Sequence, residues 1–473
     1  MIAGYELFDA LGLADLVRRR EVSAIEVLET ALDRISRRNS TLNAIVTPLY
    51  DQAMADIEAG IPDGPFAGVP YVFKELLVSV RGAPTTAGSR LLAGNMPKVE
   101  SEIVARCRRA GLVIVGKTNS CEFGLLPTTE PVLYGPTRNP WDLELSPGGS
   151  SGGSTAAVAA GMLPMGHATD GGGSIRIPAS CCGLFGLKPT RGRITAGPEG
   201  GEGLAGFAVQ HAVTWSVRDS AALLDVTAGS MPGDAYSAAP PVRPYLEEVG
   251  RDPGRLRIAF STRVPGGERV DPRCAAATLD AAHLCEELGH LVEEAEPDFD
   301  FEAMNAGFAT VFAANTAAGI DRIAGGDLPG SDLLEPLTRA LAERGRTITA
   351  SAYIRELQSI QRQSRRIAGF FEHHDLWLTP TLALPPRPLG WFPSDHADVD
   401  AWMERHLAFT PFTALSNATG QPAMSVPLGQ TENGLPIGCH FAARYGEEDV
   451  LFRLAGQLER ARPWRSRRPQ GFV

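Results

Sequence analysis

The chain is poor in lysine and in long apolar runs. Four lysines occur, at Lys74, Lys98, Lys117 and Lys188, and all other basic residues apart from histidine are arginine. No apolar run reaches the roughly 18–20 residues needed to span a bilayer. The N-terminal residues also lack the basic and apolar regions of a signal peptide. We therefore expect a cytoplasmic protein that does not enter a membrane.

Cysteine and histidine are present without the spacings that bind metals. The seven cysteines are odd in number and form no CxxC pair, which predicts buried free thiols rather than a disulfide framework. The nine histidines form no HExxH or HxH pattern. We expect neither a metal nor a cofactor.

The charge balance also excludes a class of partners. The formal net charge is −11 and the pI is about 5.4, and no basic stripe interrupts this acidic character. Nucleic acid is therefore not expected as a partner. With 473 residues, of which 44% are hydrophobic, the chain can bury a large core. We expect a small-molecule substrate and a monomer or homodimer.

Apolar periodicities along the chain alternate between helix and strand and predict an α/β fold. We expect one domain over 1–473, beginning with helices in 1–63. A core follows in 64–230, and its run Leu112–Val115 is typical of a buried strand. The region 265–375 is expected to be helical, variable and pocket-forming, and 376–473 to complete the core.

Two glycine-containing patterns suggest chemistries that their context disfavours. Residues 111–118 have the spacing of a phosphate-binding P-loop, but the intervening Leu-Val-Ile-Val reads as a strand and not as a loop. Residues 148–152 fit GxSxG, which would require a strand directly before the serine. Residues 139–147 do not read as a strand, although downstream histidines keep this alternative open.

A third interpretation combines two glycine–serine tracts, at 146–154 and 170–176. Successive N–H groups of Gly171, Gly172, Gly173 and Ser174 can surround an oxyanion, and the Ser174 hydroxyl would attack the carbonyl. A base must come from elsewhere, because no histidine lies nearby in sequence.

Lys74 is the candidate base because it lies among apolar residues, where burial would lower its pKa to roughly 7–8. Two plainer interpretations stay open. In the first, Lys74 has a structural role and pairs with Glu75. In the second, the glycine tracts form tight turns and have no catalytic role.

These motifs together resemble the amidase signature family of serine hydrolases. The resemblance rests on residues 146–161 and 170–176, on 116–119 and 186–190, and on 417–427. Residues 64–70, 129–131 and 138–141 are most similar to the 6-aminohexanoate cyclic-dimer hydrolase branch. The resemblance implies an α/β/α fold with a central mixed β-sheet covered by helices, in which residues 64–230 are the signature core.

The resemblance also implies a Ser–cis-Ser–Lys triad. By motif, Ser174 is the nucleophile, Ser150 the bridging serine and Lys74 the base, with Ser151 as the rival for the bridge. Glu75 departs from the family, where aspartate usually follows the lysine.

The implied activity is hydrolysis of carboxamide C–N bonds through an acyl-enzyme, on linear or cyclic amides, anilides and substrates like nylon oligomers. Hydrolysis of carbamates (urethanes) by the same site is an alternative. A further alternative is a glutamine amidotransferase subunit that acts on transfer RNA.

Overall fold

The computed structural model describes residues 1–267, 269–393, 395 and 397–472. Its helices and strands alternate along most of the chain. The strands are β1 Ile45–Pro48, β2 Pro70–Lys74, β3 Val113–Thr118, β4 Met165–Asp170, β5 Phe185–Lys188, β6 Val209–Thr214, β7 Arg257–Phe260, β8 Leu291–Glu294, β9 Leu376–Pro380, β10 Ala423–Gln430 and β11 Pro436–Ala443. The helices are α1 Ala10–Arg18, α2 Ala24–Leu42, α3 Tyr50–Glu58, α4 Glu102–Arg109, α5 Gly152–Ala159, α6 Arg176–Cys182, α7 Val217–Thr227, α8 Tyr245–Glu248, α9 Pro272–Glu287, α10 Phe301–Ala324, α11 Pro336–Arg346, α12 Ala350–Phe370, α13 Val399–Phe409, α14 Thr413–Thr419 and α15 Glu448–Ala461.

The strands form two sheets. Eight strands make a mixed sheet in the order β4-β6-β5-β10-β11-β9-β7-β8, in which β7 runs parallel to β8 and β9 and the other pairs are antiparallel. Three strands make a smaller sheet in the order β1-β3-β2. The mixed α/β architecture predicted from the sequence is confirmed, and the separate small sheet is an addition to it.

Alternation along the strands of the large sheet places side chains on two opposite faces. On one face, Leu376 and Leu378 of β9 pack into a hydrophobic cluster with helices α7, α9 and α15. On the other face, Trp377 packs into a second cluster with helices α10 and α12. Two helical layers thus bury both faces of the sheet.

The two sheets meet edge to edge at β2 and β4. Phe73 on β2 packs against the ring of His167 on β4, with ring centroids 5.0 Å apart. The backbone N–H of Lys74 donates to Nδ1 of His167 over 3.4 Å. This seam between the sheets brings together residues that lie about ninety positions apart in sequence. The C-terminal end of β2 lies next to the C-terminal end of β4.

Several local expectations are corrected. The segment 1–63 contains strand β1 as well as helices, and 265–375 contains β8, so neither segment is purely helical. Helix α5 begins at Gly152, inside the first glycine tract, whereas the Ala-rich pattern of residues 154–162 predicts a helix that begins just after the tract. The predicted strand at Leu112–Val115 is present as the buried strand Val113–Thr118, which begins one residue later and ends three residues later, and this geometry excludes the P-loop interpretation.

All seven cysteines are free and buried, which confirms that prediction. Within the described ranges, no helix is both long enough and apolar enough to cross a bilayer.

Candidate active site

Lys74 ends strand β2 and points into the seam between the sheets. Its side chain is fully buried, and Nζ lies 2.7 Å from Ser150 Oγ and 2.8 Å from Thr169 Oγ1. Both contacts are neutral hydroxyls, and no carboxylate among the described residues hydrogen-bonds this amine. The side chain is therefore held by two hydrogen bonds in a dry environment.

Burial lowers the pKa of Lys74 from 10.5 to about 7. The negative charge of Asp170 opposes this change and is outweighed by the loss of solvation. At neutral pH a substantial fraction of Lys74 is therefore the free amine, and a free amine can accept a proton.

Glu75, the next residue, does not pair with Lys74. Adjacent residues of an extended chain point in opposite directions, and the Glu75 carboxylate instead contacts Lys117 Nζ at 2.8 Å. Both partners are fully buried. The structural ion pair considered for Lys74 is therefore made by Lys117, and within the described ranges Lys74 has no counter-ion in direct contact.

Ser150 lies in the first glycine tract, directly before helix α5. The Gly149–Ser150 peptide bond is cis. A side chain at Gly149 would overlap the backbone of Thr128, so only glycine fits this approach of two chain segments. Ser150 itself is buried, and its hydroxyl contacts the amine of Lys74.

Two other serines of this tract, Ser151 and Ser154, are used in structural bonds. Ser151 Oγ donates to the carbonyl of Thr169 over 3.2 Å and accepts the N–H of the same residue over 3.3 Å. Ser154 Oγ donates to the His167 carbonyl over 2.6 Å. Of the two rivals for the bridging position, Ser150 is the serine that touches Lys74.

The second glycine tract folds around the carboxylate of Asp170. This carboxylate accepts the N–H of Gly173 over 2.7 Å and the N–H of Ile175 over 3.1 Å. Gly173 has φ +136°, and a Cβ there would overlap the side chain of Thr413. Glycine is required at this position for both conformation and space.

A fully buried network holds Asp170 in turn. Arg176 donates to both carboxylate oxygens over 2.9 and 3.0 Å, and Asn417 Nδ2 donates to Oδ1 over 2.9 Å. Burial alone would raise the pKa of Asp170, but the Arg176 charge and hydrogen bonds hold it at about 2. The carboxylate therefore stays ionised and keeps the glycine loop in place.

Ser174 lies at the end of this loop, just before helix α6. It is half-buried, and its hydroxyl forms no hydrogen bond within the described part of the chain, to Ser150 or to any other residue. The N–H groups of Gly171, Gly172 and Ser174 are also without partners there. The N–H of Gly173, in contrast, is already donated to Asp170.

Three further residues of the site were not predicted from the sequence. Thr169 contacts the Lys74 amine, and His167 accepts the Lys74 backbone N–H. Burial lowers the pKa of His167 to about 3, so this ring is neutral. Thr413 Oγ1 donates to the carbonyl of Gly172 over 2.7 Å. The position of Thr169 directly before the Asp170 motif could have indicated that it belongs to the site, whereas no motif near Thr413 indicates a role for that residue.

Apolar side chains surround the exposed side of the glycine loop. A Cβ on Gly172 would lie 3.2 Å from the ring of Phe308, and one on Gly171 would lie 2.8 Å from Leu204. Phe308 stacks on Phe207 with ring centroids 5.7 Å apart. A carbonyl group bound at this loop would therefore be flanked by hydrocarbon, with hydroxyl and N–H groups on its other side.

Comparison with known proteins places this chain in one class. The family model described as Amidase matches residues 26–452. The chain belongs to the amidase signature family and is a hydrolase of amide C–N bonds.

The similar proteins span nearly the whole chain. The 6-aminohexanoate-cyclic-dimer hydrolase of Paenarthrobacter ureafaciens is 39% identical over 478 residues, which cover 98% of this chain and 96% of that protein. A solved structure of 6-aminohexanoate cyclic dimer hydrolase complexed with substrate has a TM-score of 0.94 at 38% identity, covering 99% of this chain and 100% of that one. A bacterial aryl acylamidase of the same family has a TM-score of 0.85 at 28% identity, covering 97% and 96%.

Proposed function

We propose that Ser174, Ser150 and Lys74 form a serine–serine–lysine triad that hydrolyses small-molecule amides. The observation that carries this proposal is the buried contact of 2.7 Å between Lys74 Nζ and Ser150 Oγ, made by an amine with a pKa of about 7. As a free amine, Lys74 donates to Thr169 and accepts from the Ser150 hydroxyl.

The first step transfers two protons and forms one bond. The Ser174 hydroxyl attacks the substrate carbonyl, its proton passes to Ser150 Oγ, and the Ser150 proton passes to Lys74 Nζ. Substrate binding closes the distance between the two serine hydroxyls, since catalytic hydrogen bonds are often longer in the unliganded enzyme. General base catalysis of this kind contributes roughly 10²–10⁴-fold.

Backbone N–H groups of the second glycine tract stabilise the negative oxygen that forms. Gly171, Gly172 and Ser174 have free N–H groups and are the proposed donors. Gly173 was expected to join them, but its N–H is engaged by Asp170, so its role is to shape the loop. One such donor is worth roughly 10²–10³ in turnover.

The tetrahedral intermediate then expels the amine. Lys74 returns its proton through Ser150 to the leaving nitrogen as the C–N bond breaks, because an amine anion is too basic to leave unprotonated. Water next attacks the Ser174 ester, its proton follows the same route to Lys74, and the carboxylic acid is released as Ser174 recovers its hydrogen.

Substitution of the serines tests these roles. Ser174→Ala is expected to abolish amide turnover and covalent labelling by a fluorophosphonate probe. Ser150→Ala is expected to slow turnover strongly. Ser151→Ala is the matched control, since Ser151 lies in the same tract but bonds to the backbone of Thr169. Labelling that persists in Ser174→Ala would contradict the assignment of the nucleophile.

The substrate class follows from the relatives, of which two are 6-aminohexanoate-cyclic-dimer hydrolases. We propose that this chain acts on linear or cyclic amides, including anilides and nylon-oligomer-like compounds. The same attack would cleave a carbamate and release alcohol, amine and CO₂. A panel containing a 6-aminohexanoate dimer, an anilide, a small dicarbamate and glutamine separates these activities. Hydrolysis of glutamine alone would instead indicate an amidotransferase subunit.

We further propose that the chain is a single amidase domain that works in the cytoplasm, as a monomer or homodimer. Seven free, buried thiols suit a reducing compartment. The net charge of −11 disfavours nucleic acid as a partner. Native mass measurement in solution and subcellular fractionation test these points.

A further inference from the structure

A half-buried leucine lies against the proposed oxyanion loop in a backbone conformation that leucine rarely adopts. Leu204 has φ +50°, and the next residue, Ala205, has φ +53°. Residues with a side chain disfavour this left-handed region because Cβ comes too close to the following carbonyl oxygen. Strained positions of this kind concentrate at active sites and ligand sites. Leu204 is therefore a candidate for a residue that the fold holds in place for the substrate.

Leu204 contacts the loop directly. A Cβ added to Gly171 would lie 2.8 Å from Leu204 Cδ1, and a Cβ added to Gly172 would lie 3.2 Å from the ring of Phe308. Gly171, Gly172 and Ser174 are each partly exposed to solvent, so a substrate can reach this face of the loop. Leu204 and Phe308 thus lie beside two of the proposed oxyanion donors, on the face where the scissile carbonyl must bind.

A set of close contacts holds the segment that carries Leu204. Arg191 donates to the carbonyl of Gly206 over 2.6 Å, and its guanidinium lies 5.6 Å from the ring centroids of both Phe207 and Tyr236. A Cβ on Gly206 would lie 2.6 Å from the Tyr236 ring, so the segment and this ring are tightly packed. These contacts keep Leu204 at the loop although its φ is unfavourable.

The proposed mechanism places the two ends of the substrate beside different residues. The leaving nitrogen must lie next to Ser150, because Ser150 returns the proton to it. Gly124 and Leu76 line that position, since a Cβ on Gly124 would lie 3.2 Å from Ser150 Oγ and 2.6 Å from Leu76. The carbonyl oxygen points to the N–H groups of the loop. We therefore assign Leu204 and Phe308, which flank the loop, to the acyl chain.

The chemistry of these two side chains selects the acyl group. Both are hydrocarbon, and the charged residues that contact or belong to the segment have other partners. Arg191 donates to three main-chain carbonyls, and the exposed Glu202 accepts the Tyr236 hydroxyl over 2.8 Å. A charged acyl group, such as that of glutamine, would lose hydration against Leu204 and Phe308 without gaining an ion partner from them.

We infer that Leu204 is a specificity-determining residue that bounds the site of the acyl group, and that the preferred acyl group is an uncharged hydrocarbon chain. The inference rests on the proposed amide hydrolysis and deepens it, since it states which side of the scissile bond Leu204 contacts. Replacement of Leu204 should therefore change the selectivity among acyl groups and leave the selectivity among amines as it was.

Two pairs of amides test this assignment. The first pair shares para-nitroaniline as the amine and has a butanoyl or a cyclohexanecarbonyl group. The second pair shares the butanoyl group and has para-nitroaniline or naphthylamine. In Leu204→Ala, kcat/KM for the cyclohexanecarbonyl amide should rise about tenfold relative to the butanoyl amide, because small changes of volume in an apolar site alter selectivity by roughly 10–200-fold. Leu204→Phe should lower this acyl ratio. The ratio within the second pair should not change in either variant.

A third amide tests the preference for an uncharged chain. Succinyl para-nitroanilide has an acyl group of the same length as the butanoyl group, with a carboxylate in place of the terminal methyl. Its kcat/KM in the wild-type protein should be about tenfold or more below that of the butanoyl amide, because the carboxylate loses hydration at an apolar wall. Equal or faster hydrolysis of the succinyl amide would overturn the preference for a hydrocarbon chain.

Two further variants serve as controls. Glycine adopts positive φ without strain, so Leu204→Gly removes the side chain and the backbone strain together. It should shift the acyl ratio in the same direction as Leu204→Ala, even if Leu204→Ala folds poorly. Leu246→Ala is the matched control, since Leu246 is a 39% exposed leucine on helix α8. It should change neither ratio.

Affinities in a Ser174→Ala background separate the inference from the proposed function. Calorimetry with the butanoyl and cyclohexanecarbonyl amides gives the acyl ratio without turnover. An acyl ratio that stays the same in all three Leu204 variants, or a change confined to the amine pair, would overturn the inference even if amides are hydrolysed. An affinity ratio that shifts with residue 204 and not with Leu246→Ala supports it, even if the wild-type protein cleaves neither amide and the proposed function is refuted.

Discussion

Replacement of Lys74 by methionine tests the free-amine interpretation through stability rather than activity. Methionine has a similar length and no titratable group. The structure places Lys74 in full burial with a pKa of about 7, against 10.5 for the same group in the unfolded chain. Between these values the unfolded chain binds a proton that the folded chain does not, so the wild-type protein gains stability as the pH rises.

The magnitude follows from the two pKa values. From pH 8 to pH 10, the free energy of unfolding of the wild-type protein should rise by about 2.5 kcal/mol relative to Lys74→Met. Neighbouring groups do not blur this difference. Burial raises the pKa of Cys121 to about 12, and Asp170 has a pKa of about 2, so neither titrates in this interval.

Urea unfolding of both proteins, followed by tryptophan fluorescence at pH 8, 9 and 10, measures the difference directly. Lys98→Met is the control, because it makes the same replacement at a lysine that is exposed rather than buried. Stability curves of wild type and Lys74→Met that stay parallel over this range would refute a buried, easily deprotonated Lys74, and the proposed base would lose its physical support.

Three further results are expected. The value of kcat/KM for amides should rise with pH through about 7 and then level off, as Lys74 loses its proton; a profile flat from pH 6 to 9 would argue against a lysine base. Glu75→Gln should lower the free energy of unfolding by about 3–5 kcal/mol in urea titrations, because it strands the buried charge of Lys117. Gly173→Ala should lose amidase activity, since its Cβ has no space at φ +136°, whereas Gly201→Ala, in open surroundings, should retain it.

The sequence predicted the candidate site better than it predicted the strands that hold it. Lys74, Ser150 and Ser174 lie in short motifs whose residue types point to chemistry by themselves. Strand β4, in contrast, reads Met-Gly-His-Ala-Thr-Asp and shows no apolar alternation. Its polar side chains are buried because residues far away in sequence satisfy most of them, and those partners are not visible in a single sequence.

The proposed oxyanion loop shows the same limit at the level of one atom. The glycine content indicated a loop with accessible N–H groups, but it could not distinguish Gly171, Gly172 and Gly173 as hydrogen-bond donors. Which N–H is free depends on Asp170, whose carboxylate turns inward because Arg176 and Asn417 hold it. That arrangement depends on helix α14, about 240 residues further along the chain.

The contrast between Lys74 and Lys117 shows how the fold decides the role of a lysine. Both amines are buried on the same small sheet, and burial lowers the pKa of each. Lys117 receives the carboxylate of Glu75, whose charge and hydrogen bond oppose the lowering of the Lys117 pKa by burial. Lys74, one residue away from that carboxylate, points to the other side of the strand and receives only hydroxyl groups. If Glu75 faced Lys74, the charge would stabilise its ammonium form, and the amine would be a poor base at neutral pH. The opposite directions of two adjacent side chains at the end of β2 therefore separate a structural lysine from the proposed base.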